Sequence, residues 1–138
     1  MAFLEELLPT YPLYGPTAGQ ETVLGLLERC YRHLVDVTGC GQHGLMRLSN
    51  GDWNDTVVVG FVSSKEIDSV HRQGESVLNA AFASYALRLY ADMLAFAGKE
   101  AAEVRSLAEE QANRVREQWT GQWFRRAWLN ETLGWIGE

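Results

Sequence analysis

The chain has 138 residues, 12 Lys and Arg against 18 Asp and Glu, a net charge of −6, and 46% apolar residues. That length suits one ordinary domain, and the apolar content supports a folded core over wholesale disorder. The acidic balance excludes a nucleic-acid partner, because counterion release from phosphates requires clustered cations. No run of 18 apolar residues is present to span a bilayer, and the leading MAFLEELLP carries acids where a secretory leader needs bases. The expectation is a soluble, cytoplasmic protein with no membrane partner.

All three prolines, Pro9, Pro12 and Pro16, fall in the opening stretch. Leu4, Leu7 and Leu8 are expected to form one helical turn or a strand that Pro9 ends. Residues 20–37 predict a helix, with Val23, Leu27, Cys30, Leu34 and Val37 along one face of a 3.6-residue period. Residues 38–74 contain no helical period, and only Thr56–Val62 reads as a short strand. So long an irregular stretch inside a domain marks a functional loop or a mobile one. Its first half, with dense Asn, Asp and Gly, is expected to be ordered, and 62–74 to be a mobile lid. A helix over 75–97 follows, with Leu78, Phe82, Tyr85, Leu89, Met93 and Phe96 as its apolar stripe and Ala80, Ala81, Ala83 and Ala86 on a small side that suits close packing. The next, over 100–118, turns Val104, Ala108, Gln111 or Ala112, and Val115 inward, and a tight turn at Gly98-Lys99 makes the pair a helical hairpin. Trp119, Trp123, Trp128 and Trp135 crowd the last 20 residues, which are expected to form a hairpin or looped coil capping the helices.

Two C-x2-H units, Cys30 with His33 and Cys40 with His43, are the spacing a tetrahedral zinc site would draw on. Two cysteines are too few for a disulfide framework, and Cys30 lies on an apolar stripe where a free thiol acts as a small hydrophobe. No metal is therefore expected, and His33 and His71 are assigned no role. The chemically richest segment is Asn50-Gly51-Asp52-Trp53-Asn54-Asp55, with two carboxylates, two carboxamides and a large aromatic face. That set suits a sugar, whose apolar ring face stacks on Trp while its hydroxyls exchange hydrogen bonds with Asn and Asp. A carboxylic acid there also suits protonation of a glycosidic oxygen. A calcium loop is not completed, since the Gly and distal Glu of that motif are missing. An Asx-rich turn with Trp53 as a buried anchor is the plain structural alternative.

The run H-G-L-M-R-L-S-N-G-D-W-N-D at His43–Asp55 is similar to the catalytic segment of the cellobiose and chitobiose phosphorylases, glycoside hydrolase family 94, and related six-hairpin glycosidases. Gln73-Gly74-Glu75-Ser76-Val77 resembles the G-E-S-V helix start that follows, and Trp119–Trp128 resembles the W-D-G-E-W-F-x-R-A segment that closes the stretch. The resemblance implies an all-α fold, a helical-hairpin segment of an (α/α)6 toroid with a long ordered loop and a short β-hairpin. Residues 1–138 would then be a single domain that forms part of such a catalytic domain, since a toroid needs twelve helices. It implies Asp55 as the general acid, with Trp53 lining the sugar subsites and Asp52 and Asn54 holding Asp55 and contacting hydroxyls. His43, Glu75 and Arg126 join the substrate-binding set; Glu75 is also weighed as a second catalytic carboxylate, and at most one of Arg125 and Arg126 faces the site.

With one clear acid and no clear base, the reaction that the resemblance implies is inverting phosphorolysis of β-linked glucosides, in which inorganic phosphate is the co-substrate and no cofactor is needed. Inverting hydrolysis, with its base on another segment of the toroid, is the runner-up, and a non-catalytic carbohydrate-binding or structural helical module is the alternative outside enzymes. The expected partners are an oligosaccharide or disaccharide and either the rest of the toroid or a second copy of the chain.

Overall fold

In the computed structural model, which describes residues 2–10, 19–49, 51–52 and 58–138, Pro9 does not end the first element but lies inside it. Strand β1 (Leu7–Thr10) pairs antiparallel with β2 (Gly19–Thr22), and Pro9 stands opposite Gln20. A two-stranded ribbon has only edge strands, so a residue without an N–H can sit where that group would point outward. A short 3-10 turn, Ala2–Glu5, precedes the ribbon and buries Leu4. Helix α1 (Val23–His33) starts after β2, later than the periodicity predicts, because Thr22 is an extended N-cap whose side chain accepts the Gly25 N–H at 3.0 Å. It runs into a wider π-type turn, Leu34–Thr38. The predicted stripe is only partly buried: Val23 is enclosed, but Cys30 and Val37 are exposed, and the other enclosed residue of α1 is Tyr31.

The chain divides into two compact units, Met1–Val37 and Thr38–Glu138. In the second, residues expected to be a lid form helix α2 (Ile67–Gln73), a correction to the irregular reading of 38–74. Seven mostly polar residues are too short to be helical alone. Tertiary contacts hold them: Val70 is fully buried in a cluster with Leu48, Val58, Ala127 and Leu129, and Asn130 donates to Glu66 and Ser69. The expected strand at Thr56–Val62 is also corrected where it is described; no strand runs through 58–62, residues 59–61 form a turn, and the Val62 N–H is bonded to the Val59 carbonyl.

Strand β3 (Glu75–Ser76) leads directly into helix α3 (Val77–Phe96), capped by Ser76, and α4 (Ala102–Glu117) packs back along it. The helical hairpin is as expected. Gly98, at φ +70°, adopts the left-handed conformation the reversal needs, and the Lys99 N–H reaches the Leu94 carbonyl. Helix α3 packs through the small side expected to suit close packing, and most of its large apolar stripe stays outside. Ala80, Ala83, Leu87, Ala91 and Leu94 are enclosed, whereas Phe82, Tyr85, Leu89 and Phe96 are exposed, Phe96 by 76%. Alanines let two helix axes approach closely, and α4 answers with the small residues Val104 and Ala108.

The tryptophan-rich end forms the expected hairpin, β4 (Ala127–Trp128) with β5 (Trp135–Ile136), and β4 also pairs with β3 to complete a three-stranded antiparallel sheet. The described residues are thus rich in helix, with four α-helices, but they also carry two small sheets and are not all-α. None of the described helices is long and apolar enough to cross a membrane.

Candidate functional site

Trp53, Asn54 and Asp55 lie outside the described residues, as does Asn50; the rest of the expected site lies in the second unit, around β3 and the start of α3. The Gly-rich stretch after α1 turns back on itself, with Cys40 bridged to Met46 and Arg47 bridged to Glu75. Leu45, Met46 and Leu48 are almost completely enclosed and pin this loop to the core.

Glu75 ties the loop to β3. Its side chain is fully buried and accepts the backbone N–H groups of His43 and Leu45, at 3.0 and 3.1 Å. His43 Nδ1 stands 3.0 Å from the same carboxylate, the geometry of an Nδ1–H tautomer donating to it. Gly41 is required by this close approach, because a Cβ there would collide with the Glu75 carboxyl group. The His43 ring rests against Trp128 and Trp135, with centroids 4.8 and 4.9 Å away. Glu75 therefore has every oxygen engaged and no exposed surface toward a sugar, while His43 is partly exposed.

Asp52 is the second buried carboxylate. Arg126 grips both of its oxygens, Nη1 at 2.7 Å from Oδ2 and Nη2 against Oδ1, and the Ser76 hydroxyl donates to Oδ2. A bidentate guanidinium sets orientation as well as position. Ser76 is at the same time the N-cap of α3, accepting the Asn79 N–H at 3.0 Å. Asn79 in turn donates to the Gly51 carbonyl at 3.3 Å. The Asp52 side chain has no exposed surface, so in this arrangement it supports the motif and does not reach hydroxyls. Arg126 is committed to Asp52, and Arg125 turns to the other side, over the Trp135 ring and beside Glu138.

Gln111 and Asn130 are anchors whose roles the sequence left unassigned. Gln111, fully buried on α4, accepts the Met46 N–H and donates to the Gly44 carbonyl and the Cys40 sulfur. A polar residue at an inward position of an apolar stripe was the available signal, since a buried amide must find partners. Asn130 accepts the Thr132 and Leu133 N–H groups, the Asx turn that its N-E-T context allows. Burial, and next the charge of Glu110, push the Cys40 thiol above its ordinary value of 9.0. Among the described residues, no group of three or more His, Cys, Asp or Glu side chains is arranged to hold a metal ion.

In the described residues, two enclosed carboxylates, Asp52 and Glu75, sit on a helix-rich scaffold, and the His43 ring beside Glu75 rests between two tryptophans. The family model described as Glycosyl hydrolase 94 superfamily, catalytic domain, matches residues 1–136, and the chain belongs to that superfamily. No curated protein matches it.

Proposed function

We propose that the chain carries the general-acid loop of an inverting glycoside phosphorylase acting on β-linked glucosides. Asp55 protonates the departing glycosidic oxygen while inorganic phosphate attacks the anomeric carbon from the opposite face. Trp53 offers its ring to a sugar face, and Asn54 and the exposed edge of His43 meet hydroxyls. The observation that carries this reading is the D-W-N-D core, whose first residue, Asp52, is held by a side-chain clasp, in a chain whose family match spans residues 1–136.

Neither described carboxylate of the motif region supplies the base that hydrolysis would need, which supports phosphorolysis unless another segment of the toroid brings one. An inverting hydrolase needs a second carboxylate free to activate water. Asp52 and Glu75 are both enclosed and hydrogen-bonded, and neither is free for that task. The exposed aromatic face of α3 fits a segment whose neighbours belong to the rest of an (α/α)6 toroid, because a helix apolar on all sides belongs in the interior of a larger assembly.

The test is an Asp55→Asn variant in a complete catalytic domain containing this segment. Turnover of a β-linked disaccharide should fall by about 10^3-fold or more while sugar binding persists. Near-normal turnover would remove Asp55 from the role, and cleavage independent of phosphate would make the enzyme a hydrolase. The 138-residue chain alone should cleave neither way.

A further inference from the structure

We propose that Glu75 is a positioning residue that sets the polarity of ligand recognition at His43. By taking the Nδ1–H it leaves Nε2 as a bare acceptor, which suits a sugar hydroxyl that donates and not a phosphate dianion or a carboxylate. This rests on the reading above in which His43 meets hydroxyls. Glu75 touches no ligand itself, since its side chain has no exposed surface. Its influence passes through the imidazole, whose Nδ1 lies 3.0 Å from Oε1. The state of the other ring nitrogen follows: in a neutral imidazole one nitrogen carries the proton and the other a lone pair. Among the described residues none takes Nε2 in a hydrogen bond, and the His43 side chain keeps 30% of its surface exposed.

The ring is braced so that this assignment persists. Trp128 and Trp135 rest against it, their planes inclined to it at 65° and 57°. A half-turn of the ring would put a carbon where Nδ1 stands and replace a hydrogen bond to a buried carboxylate by a C–H contact. The backbone that carries the ring is clamped from two sides. Glu75 takes the N–H groups of His43 and Leu45, while Gln111 takes the Met46 N–H at 3.1 Å and donates to the Gly44 carbonyl at 2.9 Å. Four consecutive residues are thus fixed by two buried side chains, one from β3 and one from α4. The carboxylate behind the ring sharpens the choice of ligand, because an anion at Nε2 would face a lone pair and a like charge together.

Two measurements test this. In the 138-residue chain, ring 1H–15N correlation spectra report the protonation of each histidine nitrogen, and His43→Asn identifies the His43 signals among those of three histidines. In mildly alkaline solution His43 should show a protonated Nδ1 and a bare Nε2. Glu75→Gln should raise the Nε2–H form, because a carboxamide can turn its NH2 toward Nδ1. An Nε2–H or doubly protonated ring in the parent, or a Glu75→Gln spectrum identical to it, would overturn the proposal; if Glu75→Gln does not fold, the parent spectrum and the second measurement decide. That second measurement, in a complete catalytic domain, compares a β-linked disaccharide with its deoxy and deoxyfluoro analogues at each hydroxyl, since fluorine cannot donate. At one position both replacements should weaken binding by about 10-fold or more, and His43→Ala should erase that penalty. No such position, a fluoro analogue that binds as well as the hydroxyl where the deoxy does not, or a His43→Ala effect confined to the KM for inorganic phosphate would each overturn the proposal. Phosphorolysis that continues in spite of those outcomes leaves the phosphorylase reading standing, whereas a domain that binds no β-linked disaccharide ends both.

Discussion

The second unit contains two buried carboxylates a few residues from the same motif, and they are satisfied in opposite ways. Glu75 takes backbone N–H groups and a histidine ring, so its partners belong to one loop, residues 43–45. Asp52 takes a guanidinium from the residue just before β4 and a hydroxyl from the cap of α3, two places far apart in the chain. Both tie a loop to the scaffold, the first through amides and a ring of a single loop, the second through side chains from two separate places in the chain. Removing one partner also differs in consequence: without Glu75, enclosed amides lose their acceptor, whereas without Asp52, a partly exposed Arg126 can still meet water.

The largest expected effect follows from that difference. Glu75→Ala should destabilise the chain by about 4 kcal/mol, because it orphans buried donors and opens a cavity. Glu75→Gln, which keeps one acceptor, should cost about half as much. Urea unfolding followed by tryptophan fluorescence measures both; a loss under about 1 kcal/mol for Glu75→Ala would mean the loop is held by its apolar anchors alone.

Asp52→Asn should cost less, about 2 kcal/mol, since solvent partly compensates Arg126. A double-mutant cycle with Arg126→Met sharpens this: the double variant should be clearly less destabilised than the sum of the singles, and simple additivity would show that the pair is not coupled.

The smallest effect is electrostatic and reads out at Cys40. Its thiol is raised chiefly by burial and next by the negative charge of Glu110, with Glu75 a lesser contributor in the same direction. In the folded chain the thiol therefore ionises later than in the unfolded chain. Stability should be unaffected below the ordinary value of 9.0 and decline as pH rises through it. In a Cys30→Ser background, which removes the exposed thiol, pH-dependent alkylation should show Cys40 reacting sluggishly. Glu75→Gln should bring that profile slightly toward lower pH, and Asp52→Asn should not move it. A shift with Asp52→Asn instead would break the separation between the two carboxylates.

Much of this was legible before any coordinates. The α3–α4 hairpin followed from alanine spacing and Gly98, the terminal hairpin from clustered tryptophans and turn residues, and the family from three motif segments in order. The candidate site was legible in composition more than in role. Asp52, Glu75 and Arg126 were picked out as chemistry-bearing groups, and the structure shows them bonded to protein partners, two of them with fully enclosed side chains. Residue type announces what a carboxylate can bind; only its neighbours decide whether those bonds are already made.

The sequence by itself determined that α3 would be a helix, because both of its faces repeat with helical spacing. It marked the alanine side as fit for close packing but did not determine that the large apolar stripe would stay outside, since a helix apolar all round has the same period on either side. Tertiary structure decided that: α4 presents Val104 and Ala108, and only the alanine face of α3 allows the axes to close on them. The same holds for α2, whose seven residues carry too little helical preference to be seen alone. Its helicity comes from Val70 in the core and Asn130 across the hairpin, contacts that bring together residues about sixty positions apart in the chain.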